Sequence, residues 1–289
     1  KHELNSLNSY QAVDFFSELL WAEASLLGIG KNLINIPSAI NVRDGGIDAE
    51  VKDVPIQRGQ GIIKNGLTCY QIKTGLFNIS QNNKIKEILF KEGNKELHHK
   101  VKYCLDNGGT LIVVLFGWDN PHESPNQIVN RFKSILIKID PKYKNAKIEI
   151  WQQNHLIGFL KPFPSLILEL KGINNFQCQT HRSWSEDSDM KYKFVESKTF
   201  NEKANSILEI LRRSDQAQHI RVQGEAGCGK TRFVLESTRP DDIAPLVLYF
   251  TADQFIKSNI FASLYQDDNN FRVVLVLDEC NRRHTNKIW

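Results

Sequence analysis

The sequence predicts two α/β domains in succession, on three observations. The chain has 289 residues, about twice the ~150 of a typical domain. Its composition, 41% hydrophobic and 24% charged, is that of a packed protein and excludes wholesale disorder and fibrous repeats. Apolar runs of strand length alternate with segments of helical periodicity, the pattern of helices laid on a sheet.

Ser9 to Leu27 reads as a helix, with Val13, Phe16, Leu19, Leu20, Glu23 and Leu27 recurring at helical steps. Ser6 or Ser9 can cap it, and Gly28 and Gly30 end it. Ile34–Val42 is β-rich but broken by Pro37. The turn cluster Arg43-Asp44-Gly45-Gly46 leads into a strand at Ile47–Val54. A loop carrying Gly59, Gly61 and Gly66 leads into a second strand, Leu67–Thr74, and the two make a hairpin.

Helices follow at roughly Asn82–Lys91 and Lys95–Leu105. Gly108-Gly109 precedes Thr110–Phe116, whose unbroken apolar run predicts a strand buried on both faces. Ser124–Ile139 is an amphipathic helix with Pro125 in its first turn. Lys147–Trp151 is a short strand, and Leu156–Leu170 reads as helical around Pro162 and Pro164. This first domain, residues 1–171, is a mixed sheet flanked by helices.

Residues 172–190 are polar and mixed, and read as a linker. The second domain, 191–289, has helices at Asn201–Arg213 and Lys230–Thr238, and strands at Ile220–Gln223, Leu246–Phe250 and Val273–Leu277. The chain opens on Lys1 and stops at Trp289, inside this second pattern. It therefore reads as a fragment of a longer protein.

Charge excludes little and implies little: 37 Lys and Arg stand against 33 Asp and Glu, a net +4. Any nucleic-acid binding must come from a local groove. No apolar run approaches the ~18–20 residues of a membrane span, and no signal peptide is visible. The five cysteines are scattered without a CxxC pair. That pattern argues for a reducing cytoplasm, and against a disulfide framework or a zinc site.

The strongest motif is Gly224-Glu225-Ala226-Gly227-Cys228-Gly229-Lys230-Thr231, a full GxxxxGK[ST] match between an expected strand and an expected helix. Its glycines let backbone N–H groups turn inward onto phosphate oxygens, and the helix N-terminus adds its positive dipole end. Lys230 can bridge the β- and γ-phosphates of ATP, and the Thr231 hydroxyl can ligate Mg²⁺. The apolar run Val273–Leu277 ends in Asp278-Glu279. Asp278 would hold Mg²⁺, and Glu279 would polarise the attacking water. With Leu246–Phe250 as an intervening strand, the arrangement resembles the additional-strand ATPases of the AAA+ and STAND families.

A second constellation lies on the hairpin. Asp48 follows the Gly45-Gly46 turn, and Gln71 and Lys73 occupy alternate positions of one strand, with Cys69 on the same side. Tyr70 and Ile72 point to the other face. Asp48 would bind a divalent cation, Mg²⁺ or Mn²⁺, supported by the Gln71 amide oxygen. Lys73 would orient or deprotonate a water and stabilise charge on a phosphodiester. A single carboxylate is thin for Mg²⁺, so the first helix is expected to supply another through Glu23, with Glu18 in reserve. The two lie roughly 140° apart around a helix, so only one can face the site.

This pattern over about residues 10–118 resembles the PD-(D/E)xK superfamily, and specifically the Mrr-like restriction endonucleases. Asp48, Gln71 and Lys73 match that site, and Glu23 fits its helical glutamate. The departure from the general superfamily is Gln71 where an acid is usual, a change accepted in the Mrr-like branch. The resemblance implies a restriction-endonuclease-like fold and a double-stranded DNA substrate; spacing alone leaves DNA and RNA equally open.

The pairing of the two domains resembles prokaryotic antiviral STAND (Avs-type) proteins. It implies ATP·Mg²⁺-driven homo-oligomerisation that activates the nuclease, with a phage protein as trigger, sensed by a region outside this chain. Two alternatives stand beside it. One is an ATP-dependent restriction or repair nuclease without pathogen sensing. The other is a catalytically silent DNA-binding module on an ATP-gated switch.

Other features read as structural. His98-His99 looks like a solvated helix face, and Trp118 and Trp151 look like packing residues at strand ends. Lys84, Lys86, Lys91, Lys95, Lys100 and Lys102 either track a phosphate backbone or, interspersed with Glu87, Glu92 and Glu96, form an ordinary surface.

Overall fold

A computed structural model describes residues 2–37, 45–55, 61–75, 77–91, 96–117, 123–172, 178–187, 190, 192–213, 217–258 and 272–280. The chain divides into two compact units, 1–160 and 161–289. Both are α/β.

The first unit opens with a short helix α1 (His2–Asn5) and the long helix α2 (Ser9–Leu26). Neither expected serine caps α2. Asn8 does, in a reciprocal pair with Gln11, because a side-chain oxygen directly before the first turn satisfies an otherwise orphaned N–H. Strands β1 (Ile34–Asn35), β2 (Ala49–Val54) and β3 (Gly66–Lys73) form an antiparallel meander. Then come α3 (Asn82–Leu89), α4 (His99–Asp106), β4 (Thr110–Leu115), α5 (Pro125–Ile137), β5 (Lys147–Trp151) and α6 (Gln153–Leu160). The sheet order is β1-β2-β3-β4-β5, with β3, β4 and β5 mutually parallel. The predicted mixed sheet is present, and every residue of β4 is buried, as its apolar run requires.

Alternation along β3 decides which helices meet which face. Cys69 joins Leu111, Val113 and Leu115 in a core with Ile85 and Ile88 of α3, Val101 and Cys104 of α4, and Ile128 and Phe132 of α5. Tyr70 faces the opposite way. Its ring lies 5.1 Å from Phe16 of α2 and 6.0 Å from Trp151, which in turn packs on Phe159 of α6 at 4.9 Å. The sheet is therefore sandwiched, with α2 and α6 on one side and α3 to α5 on the other.

The helix expected at 156–170 is two helices. α6 ends at Leu160, and α7 (Pro164–Lys171) starts on the second proline, since neither proline can donate to a helical ladder. α7 belongs to the second unit, so the division falls earlier than residue 171. The stretch read as a linker is also folded there. β6 (Gln179–Thr180) pairs antiparallel with β7 (Val247–Thr251), and α8 (His181–Ser185) buries Trp184 at 1% exposure. One buried tryptophan outweighs the polarity of its neighbours.

The remaining elements are α9 (Lys198–Arg213), α10 (Lys230–Ser237), α11 (Ala252–Lys257) and β8 (Val274–Asp278), in a sheet ordered β6-β7-β8 with β7 and β8 parallel. The strand expected at Ile220–Gln223 is not formed. Residues 217–225 lie outside every strand, and 217–221 are exposed. Alternation supplies only a potential strand; it becomes one only where a neighbouring strand takes its hydrogen bonds.

Among the described residues no helix is long and apolar enough to cross a membrane.

Candidate functional sites

In the first unit, Gly45 and Gly46 sit at φ +76° and +88°, the left-handed region open to glycine. The turn they make delivers the chain to the C-terminal end of β3. There the Asp48 N–H donates to the Tyr70 carbonyl at 2.8 Å, and Asp48 Oδ2 accepts from the Ile72 N–H at 2.6 Å. The register Ala49 opposite Tyr70, continued by one residue, sets Asp48 across from Gln71. Cross-strand neighbours share a face, and Lys73 shares it by alternation. The structure thus brings Asp48, Gln71 and Lys73 to one end of one strand pair.

Gln71 is the informative member. It is 4% exposed, and its Oε1 is buried without a hydrogen-bond partner. An unmet buried acceptor costs about 1–3 kcal/mol. A hard cation satisfies such an oxygen, and Mg²⁺ commonly takes one or two carboxylates beside waters and substrate phosphates. One Asp and one amide oxygen fit that demand. Among the described residues no three His, Cys, Asp or Glu side chains gather with metal-binding geometry. Lys73 is half-buried, its Nζ 5.5 Å from the Phe77 ring centre. Lys84 Nζ lies 5.2 Å from the same ring and pairs with Glu87 at 2.8 Å. Two ammonium groups therefore border this end of the sheet.

Glu23 is not part of it. Its carboxylate accepts the Ile62 N–H at 2.8 Å, and a Cβ on Gly61 would overlap its Oε1. Ile62 also takes the Tyr70 hydroxyl on its carbonyl at 2.8 Å. Glu23 thus lies on the α2 side of the sheet, the side opposite Gln71, where it pins the loop between β2 and β3. Burial raises its pKa against the pull of the Ile62 and Ile63 amides. The helical spacing was right about the residue's inward tilt and silent about which face the helix covers. Glu18 is half-buried on the same helix.

Of the histidine pair read as a solvated helix face, His99 is exposed as expected and His98 is half-buried, yet both rings also lie against the Gly45-Gly46 turn. A Cβ on Gly45 would lie 2.1 Å from His99 Cε1, and one on Gly46 2.7 Å from His98 Cγ. The Lys100 N–H donates to the Gly45 carbonyl at 3.3 Å. The start of α4 therefore packs on the turn that presents Asp48. Nothing local signals this contact across more than fifty residues. Trp151, 3% exposed, is packed as expected, while Trp118 lies outside the described residues. Of the lysine run, Lys84 and Lys91 are ion-paired, Lys91 with Glu96 at 3.6 Å; Lys95 and Glu92 lie outside the described residues.

In the second unit, Gly227 and Gly229 adopt φ +77° and +85°, and α10 starts at Lys230 directly after them. Lys230 Nζ donates to the carbonyls of Gly224 at 3.0 Å and Glu225 at 2.7 Å, with Cys228 Sγ 3.9 Å away. Thr231 Oγ1 donates to Asp278 Oδ2 at 2.6 Å, which joins the glycine-rich loop to the end of β8. The other Asp278 oxygen takes the Glu279 N–H at 2.7 Å. Glu279, at φ +58°, is the one non-glycine residue with positive φ among those described. Such a backbone costs of order 1–3 kcal/mol and marks functional positions.

A cleft of about 680 Å³ opens over these residues, its walls including Tyr192, Phe194, Lys230, Thr231, Asp278 and Glu279. That is the size of a small-ligand site. Arg232 fixes the aromatic wall: it donates to the Met190 and Tyr192 carbonyls, lies 5.6 Å from the Phe194 ring centre, and pairs with Glu236 at 2.6 Å. Sequence reasoning missed this wall. Its signal was the Tyr192 and Phe194 aromatics in an otherwise polar stretch.

Compared with protein-family models, curated proteins and solved structures, the chain matches none of them. Functional reasoning therefore rests on geometry.

Proposed function

We propose that the first unit is a metal-dependent DNA endonuclease and the second an ATP-binding switch that controls it. The assembly is similar to the antiviral STAND proteins of prokaryotes, cytoplasmic and oligomeric when active. The observation that carries the nuclease half is the buried, unpartnered Gln71 Oε1 set across from Asp48. The switch half is supported by the Thr231–Asp278 contact beneath the cleft.

A divalent cation held by Asp48 and Gln71 would supply Lewis acidity to a phosphodiester and acidify a water. Lys73 places positive charge where the phosphoryl oxygens gain negative charge, and Lys84 adds a second cation for the strand backbone. The Ile72 N–H holds one Asp48 oxygen in place, which leaves the carboxylate little freedom to turn away. In the second unit, triphosphate oxygens would replace the Gly224 and Glu225 carbonyls as acceptors for Lys230. Glu279 would accept a proton from water at the cleft.

One observation favours a second reading. With Glu23 committed to Ile62, the carboxylate expected from the first helix is held away from Asp48 and Gln71, as suits a silent DNA-binding module. A plasmid-nicking assay with Mg²⁺ or Mn²⁺ and ATP separates the two. We expect wild type to nick, and Lys73→Ala and Lys230→Ala each to lose nicking. DNA binding by the full-length protein without nicking under any nucleotide or trigger would establish the silent module.

A further inference from the structure

Asp278 is held by more than the glycine-rich loop. Its Oδ2 accepts two hydroxyl groups, Thr231 Oγ1 at 2.6 Å and Tyr249 Oη at 3.2 Å. Tyr249 stands on β7, where Thr251 pairs with Asp278 and Tyr249 with Val276. It lies outside the residues that wall the cleft. On its far side the ring is stacked on Trp184 of α8, with centroids 4.3 Å apart and planes 18° apart. Trp184 is 1% exposed, so a buried ring lies flat against the tyrosine whose hydroxyl donates to the carboxylate. A phenol is a hydrogen-bond donor at any physiological pH.

We propose that Tyr249 is the positioning residue for Asp278. It retains Asp278 Oδ2 in place when the Thr231 hydroxyl turns from that oxygen to a nucleotide-bound cation. The proposal rests on the ATP·Mg²⁺ reading of the second unit. It adds a residue that touches neither nucleotide nor cation. A carboxylate carrying one fewer donor is freer to rotate, and a hard cation penalises misplaced ligands because its geometry is strict. The Trp184 stack makes α8, in the stretch between the two expected domains, the backing of this carboxylate.

The test is nucleotide affinity of the full chain with and without Mg²⁺, measured by calorimetry for wild type and Tyr249→Phe. Loss of a hydrogen bond to a charged group predicts that the tightening of ATP by Mg²⁺ falls roughly tenfold. Affinity in EDTA should stay at the wild-type value. A second readout is Trp184 emission, taken as the difference between each protein and its Trp184→Phe counterpart. It should respond to MgATP more than to ATP in EDTA in wild type, and lose that distinction in Tyr249→Phe.

Three results would be decisive. Equal Mg²⁺ dependence in the two proteins overturns the proposal. An equal loss of affinity with and without Mg²⁺ shows a merely structural role and also overturns it. Failure of wild type to bind ATP at all sinks the nucleotide reading itself, a distinct outcome. A thermal melt of Tyr249→Phe close to wild type confirms that the variant is folded.

Discussion

The two candidate sites are assembled by different routes. In the second unit, eight consecutive residues, Gly224 to Thr231, carry most of the chemistry, and one long-range contact, Thr231 to Asp278, completes it. The loop from Gly224 to Gly229 is exposed, and the lysine after it bonds to the loop's own carbonyls. In the first unit the residues come from two strands, meet only through register, and include a nearly buried amide with an unmet oxygen. A contiguous loop tolerates change around it because its own backbone shapes it. A site made by register depends on the turn and helices that set the strands, here Gly45, Gly46 and the start of α4.

The largest expected effect tests the contiguous site. Lys230→Ala should weaken ATP binding about a hundredfold, the equivalent of losing charge-assisted hydrogen bonds, with little change in melting temperature. A calorimetric titration checks this, and near wild-type affinity would remove the loop from the argument. The first unit should behave in the opposite way, failing through its frame. Gly46→Ala should cost about 2 kcal/mol, because it puts a Cβ at positive φ and against His98. Denaturant unfolding measures it; an unchanged midpoint would mean the histidines do not set the turn.

A smaller effect sharpens the role of Gln71. Gln71→Glu should tighten Mn²⁺ binding several-fold if its oxygen faces the cation beside Asp48, since a carboxylate is the harder ligand. If Mn²⁺ affinity does not rise and stability falls, the residue is a buried polar group of the core. The smallest effect concerns Glu23. Its folded-state pKa is raised above the ordinary 4.5 by burial, so the folded state holds its proton to higher pH than the unfolded state does. This residue's contribution therefore diminishes as pH climbs from 4.5 through the raised value. Glu23→Gln should flatten that slope while leaving any nicking activity in place. Loss of nicking in a folded Glu23→Gln protein would return the residue to the catalytic site.

Sequence alone determined a good deal. Strand β4 and helix α5 are legible because an unbroken apolar run and a 3.6-residue stripe are properties of consecutive residues. So is the glycine-rich loop, since positive φ at Gly227 and Gly229 demands glycine wherever the loop lies. The alternation Gln71, Lys73 placed both on one face before any partner was known. Only tertiary structure decided the rest. Helical spacing could not say that α2 covers the Tyr70 face and so carries Glu23 away from Gln71. Polarity hid the burial of Trp184 and its stack on Tyr249, and an alternating stretch at Ile220–Gln223 found no ladder. Each depends on which surface a neighbour occupies. That is fixed by the packing of segments distant in the chain, where a contact's energy is set by area and hydrogen bonds rather than by adjacency in sequence.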